Sequence, residues 1–207
     1  MALQNRCDPF GALHKVTARG TMMGNRGGRI HDPATKTLAA QRWASKAWIC
    51  CVTEFRGRQH DVWGRTYTAL FFLDEVTALA AGHRPCFECR NADAKRFATL
   101  WANAAGWTSR MKAAEMDERL HRERLTSSRQ SLPELSVNDV AALPDGSMIA
   151  LDGRPFAARA GRLLPWSFAG YGAAERLSRR QVLLITPPSI VEVLRQGYEP
   201  RWHGDAL

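Results

Sequence analysis

The sequence predicts an α+β fold, a globular body containing a zinc knuckle and a β-rich C-terminal part. Three observations carry that expectation. Helical apolar spacing is concentrated between residues 74 and 128, and short apolar strands follow residue 144. The pair Cys86 and Cys89 sits in a turn between two helical patterns. At 207 residues the chain has the length of one domain with a smaller appended module. The expected division is a zinc-binding α+β region over 1–130, with its N-terminal glycine- and arginine-rich loop, and a β-rich region over 131–207 packed on it; the alternative is one single domain.

Residues 1–47 read as irregular and glycine-rich, with Gly20, Gly24, Gly27 and Gly28 permitting turns and close backbone approach. Trp48 to Phe55 is β-prone, and Arg65 to Phe72 is its expected partner strand. A short helix spans Asp74 to Ala81, and Gly82 supplies a left-handed cap. After the knuckle a second helix runs from about Ala92 to Asn103, with Ala94, Phe97 and Trp101 at helical spacing. Residues 111–128 form a third, more polar helix whose mixed charges suit a solvated face. Ser136 and Asp139 match a capping box. Strands are then expected at 147–151, 155–160, 162–166 and 181–185, with a turn at Asp152-Gly153 and a last helix ending at Gly197.

The chain carries 24 Arg, 5 Lys and 20 acidic residues, for a net charge of +9. Such an excess suits a polyanionic partner, because each phosphate neutralised releases condensed counterions. The arginines are spread from Arg19, Arg26 and Arg29 through Arg119, Arg122, Arg124 and Arg129 to Arg176, Arg179 and Arg180, which favours a basic surface over a basic tail. A hydrophobic content of 45% excludes wholesale disorder, and no run of residues approaches a membrane span. The first ten residues hold a charge and a proline where a signal peptide needs an apolar stretch. A cytoplasmic protein with no membrane partner is the expectation.

The five cysteines are Cys7, Cys50, Cys51, Cys86 and Cys89. An odd number without a secretion signal argues against a disulfide framework. Cys86-Phe-Glu-Cys89 places two thiolates on one tight turn, spaced to chelate tetrahedral zinc. Cys50 and Cys51 offer further thiolates from a strand. Adjacent strand residues point to opposite faces, so ideal geometry brings only one of them to the metal. His83, in the arrangement H-x2-C-x2-C, is either a further ligand or a histidine packed against the knuckle.

The stretch Leu79-Ala-Ala-Gly-His-Arg-Pro-Cys-Phe-Glu-Cys-Arg90 resembles the second zinc knuckle of the amino-terminal domain of Ada-type alkylation-repair proteins. The likeness is strong over these 12 residues and loose from Trp48 to Asn91. It implies that Cys86 and Cys89 are zinc ligands. In that family two earlier cysteines complete a four-thiolate site, and one accepts a methyl group from a methylated DNA phosphate. The family separates that first pair by three residues, whereas Cys50 and Cys51 are adjacent. A four-thiolate site would be closed and structural, so any catalytic residues would lie elsewhere.

Gly24-Asn-Arg-Gly-Gly-Arg-Ile-His-Asp32 is the expected location, with backbone amides, Asn25, Arg26 and Arg29 facing phosphate and His31 and Asp32 as base and orienter. Trp63 and Trp166 are the tryptophans expected to have a surface role. Two functions follow. One is a zinc-stabilised protein that binds nucleic acid, in particular DNA, in repair or processing; it is open whether it is an enzyme, a hydrolase or an alkyl acceptor. The other is an enzyme on a small anionic substrate with a purely structural zinc.

Overall fold

The computed structural model describes residues 2–58, 61–126, 132–175 and 181–204. Arg129, Arg176, Arg179 and Arg180, and the expected end of the third helix at residue 128, lie outside them. Within the described residues helices and strands are mixed, as the sequence predicts. In chain order the strands of the first half are β1 (Arg6–Cys7), β2 (Leu13–His14), β3 (Met22–Arg26), β4 (His31–Asp32), β5 (Thr37–Leu38), β6 (Trp48–Val52), β7 (Leu70–Phe72) and β8 (Arg84–Pro85). Helix α1 (Glu75–Ala80) precedes β8, and α2 (Asn91–Ala104), α3 (Ala113–Thr126) and α4 (Val137–Ala141) follow it. The remainder is β9 (Met148–Leu151), β10 (Arg154–Arg159), β11 (Arg162–Ser167), β12 (Gly170–Tyr171), β13 (Val182–Leu184) and α5 (Pro188–Arg195).

The first sheet has the order β2-β1-β7-β3-β6-β8. Its centre corrects the sequence expectation twice. The glycine-rich segment is not irregular: Met22–Arg26 is a central strand, antiparallel to β6 on one side and β7 on the other. The strands at 48–52 and 70–72 therefore share a sheet without pairing. Gly24 is what admits β3 there, since a Cβ would lie 2.2 Å from the Ile49 carbonyl oxygen and 2.9 Å from the Phe72 ring. Glycine in this strand answers close packing rather than a turn.

The second sheet has the order β12-β11-β10-β9-β13, antiparallel throughout, as alternating strands after residue 144 predict. Two of its tight hairpins turn at Asp152-Gly153 and Ala160-Gly161, all four residues with positive φ, the twist-matched two-residue geometry. Ala160, at φ +48, bears a Cβ in the left-handed region, at a cost of about 1–2 kcal/mol. Ala160→Gly is therefore expected to stabilise the chain by about 0.5 kcal/mol after the entropy of the extra glycine is subtracted. A fall in the urea midpoint would contradict that.

Helix α1 joins the two halves. All six of its residues are buried, and Val76 and Ala80 pack with Met148, Ala150, Ala157 and Ile185 of the second sheet. Its N-cap Asp74 accepts from Thr77 N and Oγ1, Tyr171 Oη and the His203 backbone N–H. Burial raises the Asp74 carboxyl above the usual carboxylate range. Glu75 accepts from Arg90 Nη2 at 2.7 Å, Tyr198 Oη at 2.7 Å and the Arg201 backbone N–H at 3.0 Å. The C-terminal segment is thus tied to the start of α1. Beside it, α2, α3 and α5 share a core of Leu79, Phe97, Trp101, Met116, Leu120, Ile190 and Val193. The capping box at Ser136 and Asp139 forms as its spacing predicts.

Candidate metal centre

Cys51 lies on β6, and Cys86 and Cys89 lie in the turn between β8 and α2. The three sulfurs sit within 4.8 Å of one another. Strand pairing explains the meeting: β8 runs parallel to β6, with Ile49 opposite Arg84 and Cys50 opposite Pro85. The Cys86 N–H then donates to the Cys50 carbonyl at 2.9 Å, which pins the turn to the strand. Inside the turn the Glu88 N–H points at Cys86 Sγ, 3.4 Å away, and the Arg90 N–H donates to the Cys86 carbonyl. Backbone amides aimed at sulfur favour thiolate.

Of the three thiols, Cys86 is lowered to about 5 by hydrogen bonding from Cys51 first, then by the backbone N–H groups of Cys89 and Glu88. Cys89 is also lowered, chiefly by Cys51 and with help from the Val52 N–H, while Cys51 is raised by its bonds to the other two. Thiolates round a tetrahedral zinc ion sit about 3.8 Å apart, for metal–sulfur bonds of about 2.3 Å. The observed grouping admits such an ion, and these three cysteines can hold a metal. Cys51 and Cys86 are buried and Cys89 is half-buried, so the cluster is at the edge of the body.

Cys50 is absent from the cluster for the reason that strand alternation gives. Its side chain faces the other side of the sheet, among Cys7, Met22, Leu70, Phe72, Ala78 and Ala81. There burial pushes its thiol up, and Arg90 Nη1 lies 3.6 Å from its sulfur. His83 is not in the cluster either. It is fully buried, its ring packed edge-on to Phe72 and tilted against Trp48. No fourth Cys, His, Asp or Glu of the described residues joins the three sulfurs. The expected closed four-thiolate arrangement is thereby corrected to three thiols from the chain.

The glycine–arginine segment does not form a phosphate cradle of the kind expected. Arg26 is 2% exposed, and its guanidinium turns inward to the Gly11 carbonyl at 2.6 Å and the Cys7 sulfur at 3.4 Å. His31 is buried, stacked on Trp63 with both ring nitrogens bonded, to Thr68 Oγ1 and the Gly64 carbonyl. It is a packed core histidine. Asp32 is exposed and closes its own turn by accepting from Ala34 and Thr35, which holds its carboxyl below the usual range. It does not approach His31 as an orienter. Asn25 Oδ1 accepts from the Gly27 N–H and so shapes the turn after β3. Arg29 does remain exposed, with Nη1 on the Arg65 carbonyl.

Trp63 is likewise corrected: it is fully buried and donates to the Ala69 carbonyl. Trp166 is half-buried, its Nε1–H on Thr77 Oγ1. The charged face expected on α3 is partly interior. Asp117 makes a bidentate ion pair with Arg84 at 2.8 and 2.7 Å, one residue before Pro85 and the knuckle. Beside the cysteines the surface carries charges of both signs, Glu54 and Glu88 with Arg56 and Arg58. Arg58 pairs with Glu88, within the Cys86–Cys89 turn, at 2.6 Å, and the guanidinium groups of Arg56 and Arg58 lie over the Phe55 ring. Residue spacing carries no signal for that cluster, because it arises only when the loop after β6 folds back over the turn.

No protein-family model, curated protein or solved structure matches the chain. Among the described residues no helix is long and apolar enough to cross a membrane. The fold and the site define an α+β protein with a cysteine cluster able to hold a metal ion.

Proposed function

We propose that the chain is a cytoplasmic zinc protein that binds nucleic acid, with DNA repair or processing as its setting. The meeting of Cys51, Cys86 and Cys89 within 4.8 Å is the observation that carries the metal assignment. Thiolate-rich donor sets select zinc among the common divalent ions. Zinc would pin the loop-bearing strand to the start of α2 and leave its fourth position to a ligand other than these sulfurs. When bound, the ion would supply folding free energy and a Lewis-acidic position beside Arg56 and Arg58.

The nucleic-acid reading is supported by the net charge of +9, by the knuckle's likeness to the Ada-type domain, and by the surface next to the cysteines. Arg56 and Arg58 are exposed beside Phe55 and are the arginines best placed to meet phosphate near the metal. Arg29 is a third exposed cation. Arg26 has no part in this role, because it is buried.

Duplex binding measured from about 50 to 200 mM salt tests the reading. The wild-type affinity should fall steeply as salt rises. Arg56→Ala with Arg58→Ala should flatten the log–log slope by about 1.8, at roughly 0.9 for each phosphate no longer neutralised. Zinc content should not change, since neither arginine touches sulfur. Salt-insensitive binding, or a double variant with the wild-type slope, would remove nucleic acid from the assignment while leaving the metal centre intact.

A further inference from the structure

A second site lies away from the cysteines, on the opposite side of β6. A hollow of about 380 Å³ opens between the Pro9–Ala12 turn, Trp43 and Trp48, the end of α1, and His121 and Arg124 of α3. That volume lies within the range of small-molecule sites, and the walls have the usual composition of apolar and aromatic surface with few polar groups. The polar groups here are unusual in sign. The guanidinium carbons of Arg26 and Arg124 each lie 4.1 Å from the centre of the Trp48 ring system. Arg42, on the rim, adds a third cation and is exposed.

Among the described residues no carboxylate forms an ion pair with any of the three arginines. Arg26 bonds to carbonyls and a thiol, and Arg124 bonds to the carbonyls of Gly82 and Lys46. The carboxylates nearby are engaged elsewhere: Asp8 by His14, Asp117 by Arg84, and Glu123 by Arg119 and Ser189. Within the same cluster, Arg26 Nε, Trp48 Nε1 and Arg124 Nε are buried without a hydrogen-bond partner. Buried charge is ordinarily paired, and buried donors are ordinarily satisfied. Burial, opposed by Asp117 and compounded by Arg26 and Arg84, lowers the Arg124 guanidinium to about 9. A hollow lined by Arg42, Arg124 and Trp48, with Arg124 Nε and Trp48 Nε1 unpartnered, offers positive charge and donors to an anion.

We propose that this hollow binds a small oxyanion carried on a planar ring, with Arg124 and Arg42 facing the anion and Trp43 flanking the ring. Guanidinium groups match phosphate and carboxylate alike, so the oxyanion is the shared chemistry. The ring is inferred from the wall: Trp43 is half-buried, 5.4 Å edge-on from His121 and 6.4 Å from Trp48, leaving aromatic surface on the hollow. The site shares no residue with the cysteine cluster or the Phe55 surface. It stands whether or not the chain binds nucleic acid.

Calorimetric titration of the full-length protein tests it, with adenosine 5′-monophosphate, benzoate and adenosine as probes. Saturable one-to-one binding of the monophosphate or of benzoate is expected, and which of the two binds names the oxyanion. Adenosine, with the ring and no charge, should bind at least roughly tenfold more weakly than the monophosphate. Arg124→Gln should weaken the charged probe roughly tenfold, and Trp43→Ala should weaken it comparably. Trp107→Ala, at an exposed tryptophan outside the hollow, should leave it unchanged. Should Arg124→Gln fail to fold, judged by circular dichroism, Trp43→Ala decides. Absence of saturable binding by both anions, adenosine binding as tightly as its monophosphate, or a folded Arg124→Gln with wild-type affinity would each overturn the proposal.

Discussion

Cys86→Ser is expected to release the bound metal and to destabilise the chain by about 3 kcal/mol or more, because zinc held only by the folded state contributes its binding free energy to folding. The loss should be large because Cys86 is the thiol on which both Cys51 and the turn's amides converge. Cys50→Ala provides the contrast. It alters the neighbouring position on the same strand, yet its side chain lies on the other face, so metal content should stay at the wild-type level. Metal analysis with a urea melt reads both effects. Equal metal loss from the two variants would mean that strand alternation does not govern the site.

Glu75→Ala is expected to be nearly as damaging, at about 3–5 kcal/mol, the usual cost of stripping one partner from a buried ion pair. Glu75 and Arg90 are both buried, and they meet at 2.7 Å. Removing the carboxylate also leaves the Tyr198 O–H and the Arg201 N–H without their acceptor, two anchors of the C-terminal segment. Asp93 remains near Arg90 and moderates the loss without replacing those two bonds. The urea midpoint should fall accordingly. A change below about 1 kcal/mol would show that the tail does not depend on this acid.

Helices are legible in the sequence where apolar spacing is long or caps are explicit: α2 with Phe97 and Trp101, and α4 with its Ser136–Asp139 box. The second sheet is legible from its turns. In the first sheet the strands at 48–52 and 70–72 are legible, but β3 between them is not, because its glycine answers a tertiary approach to Ile49 and Phe72 that no local pattern records. Without that strand, Arg26, His31 and Asp32 read as one surface loop, whereas β3 carries Arg26 inward and Thr68 and Trp63 enclose His31. The cysteines are a different case. Spacing alone singles out Cys86 and Cys89, whereas alternation brings only one of Cys50 and Cys51 to the metal unless the strand ends or bulges there, so both stay candidates until the β6–β8 register selects Cys51. Charge on α3 misleads because an amphipathic pattern cannot distinguish an arginine over Trp48 from one in water.

X-ray absorption at the zinc edge, on protein purified without added metal, tests the metal centre most directly. One zinc per chain is expected, with three sulfurs at about 2.3 Å and one oxygen or nitrogen at about 2.0–2.2 Å around it. Cys51→Ser should reduce the sulfur count or remove the ion, and Cys50→Ala should leave the spectrum unchanged. A shell of four sulfurs, or folded wild-type protein holding no zinc, would contradict a site built from Cys51, Cys86 and Cys89.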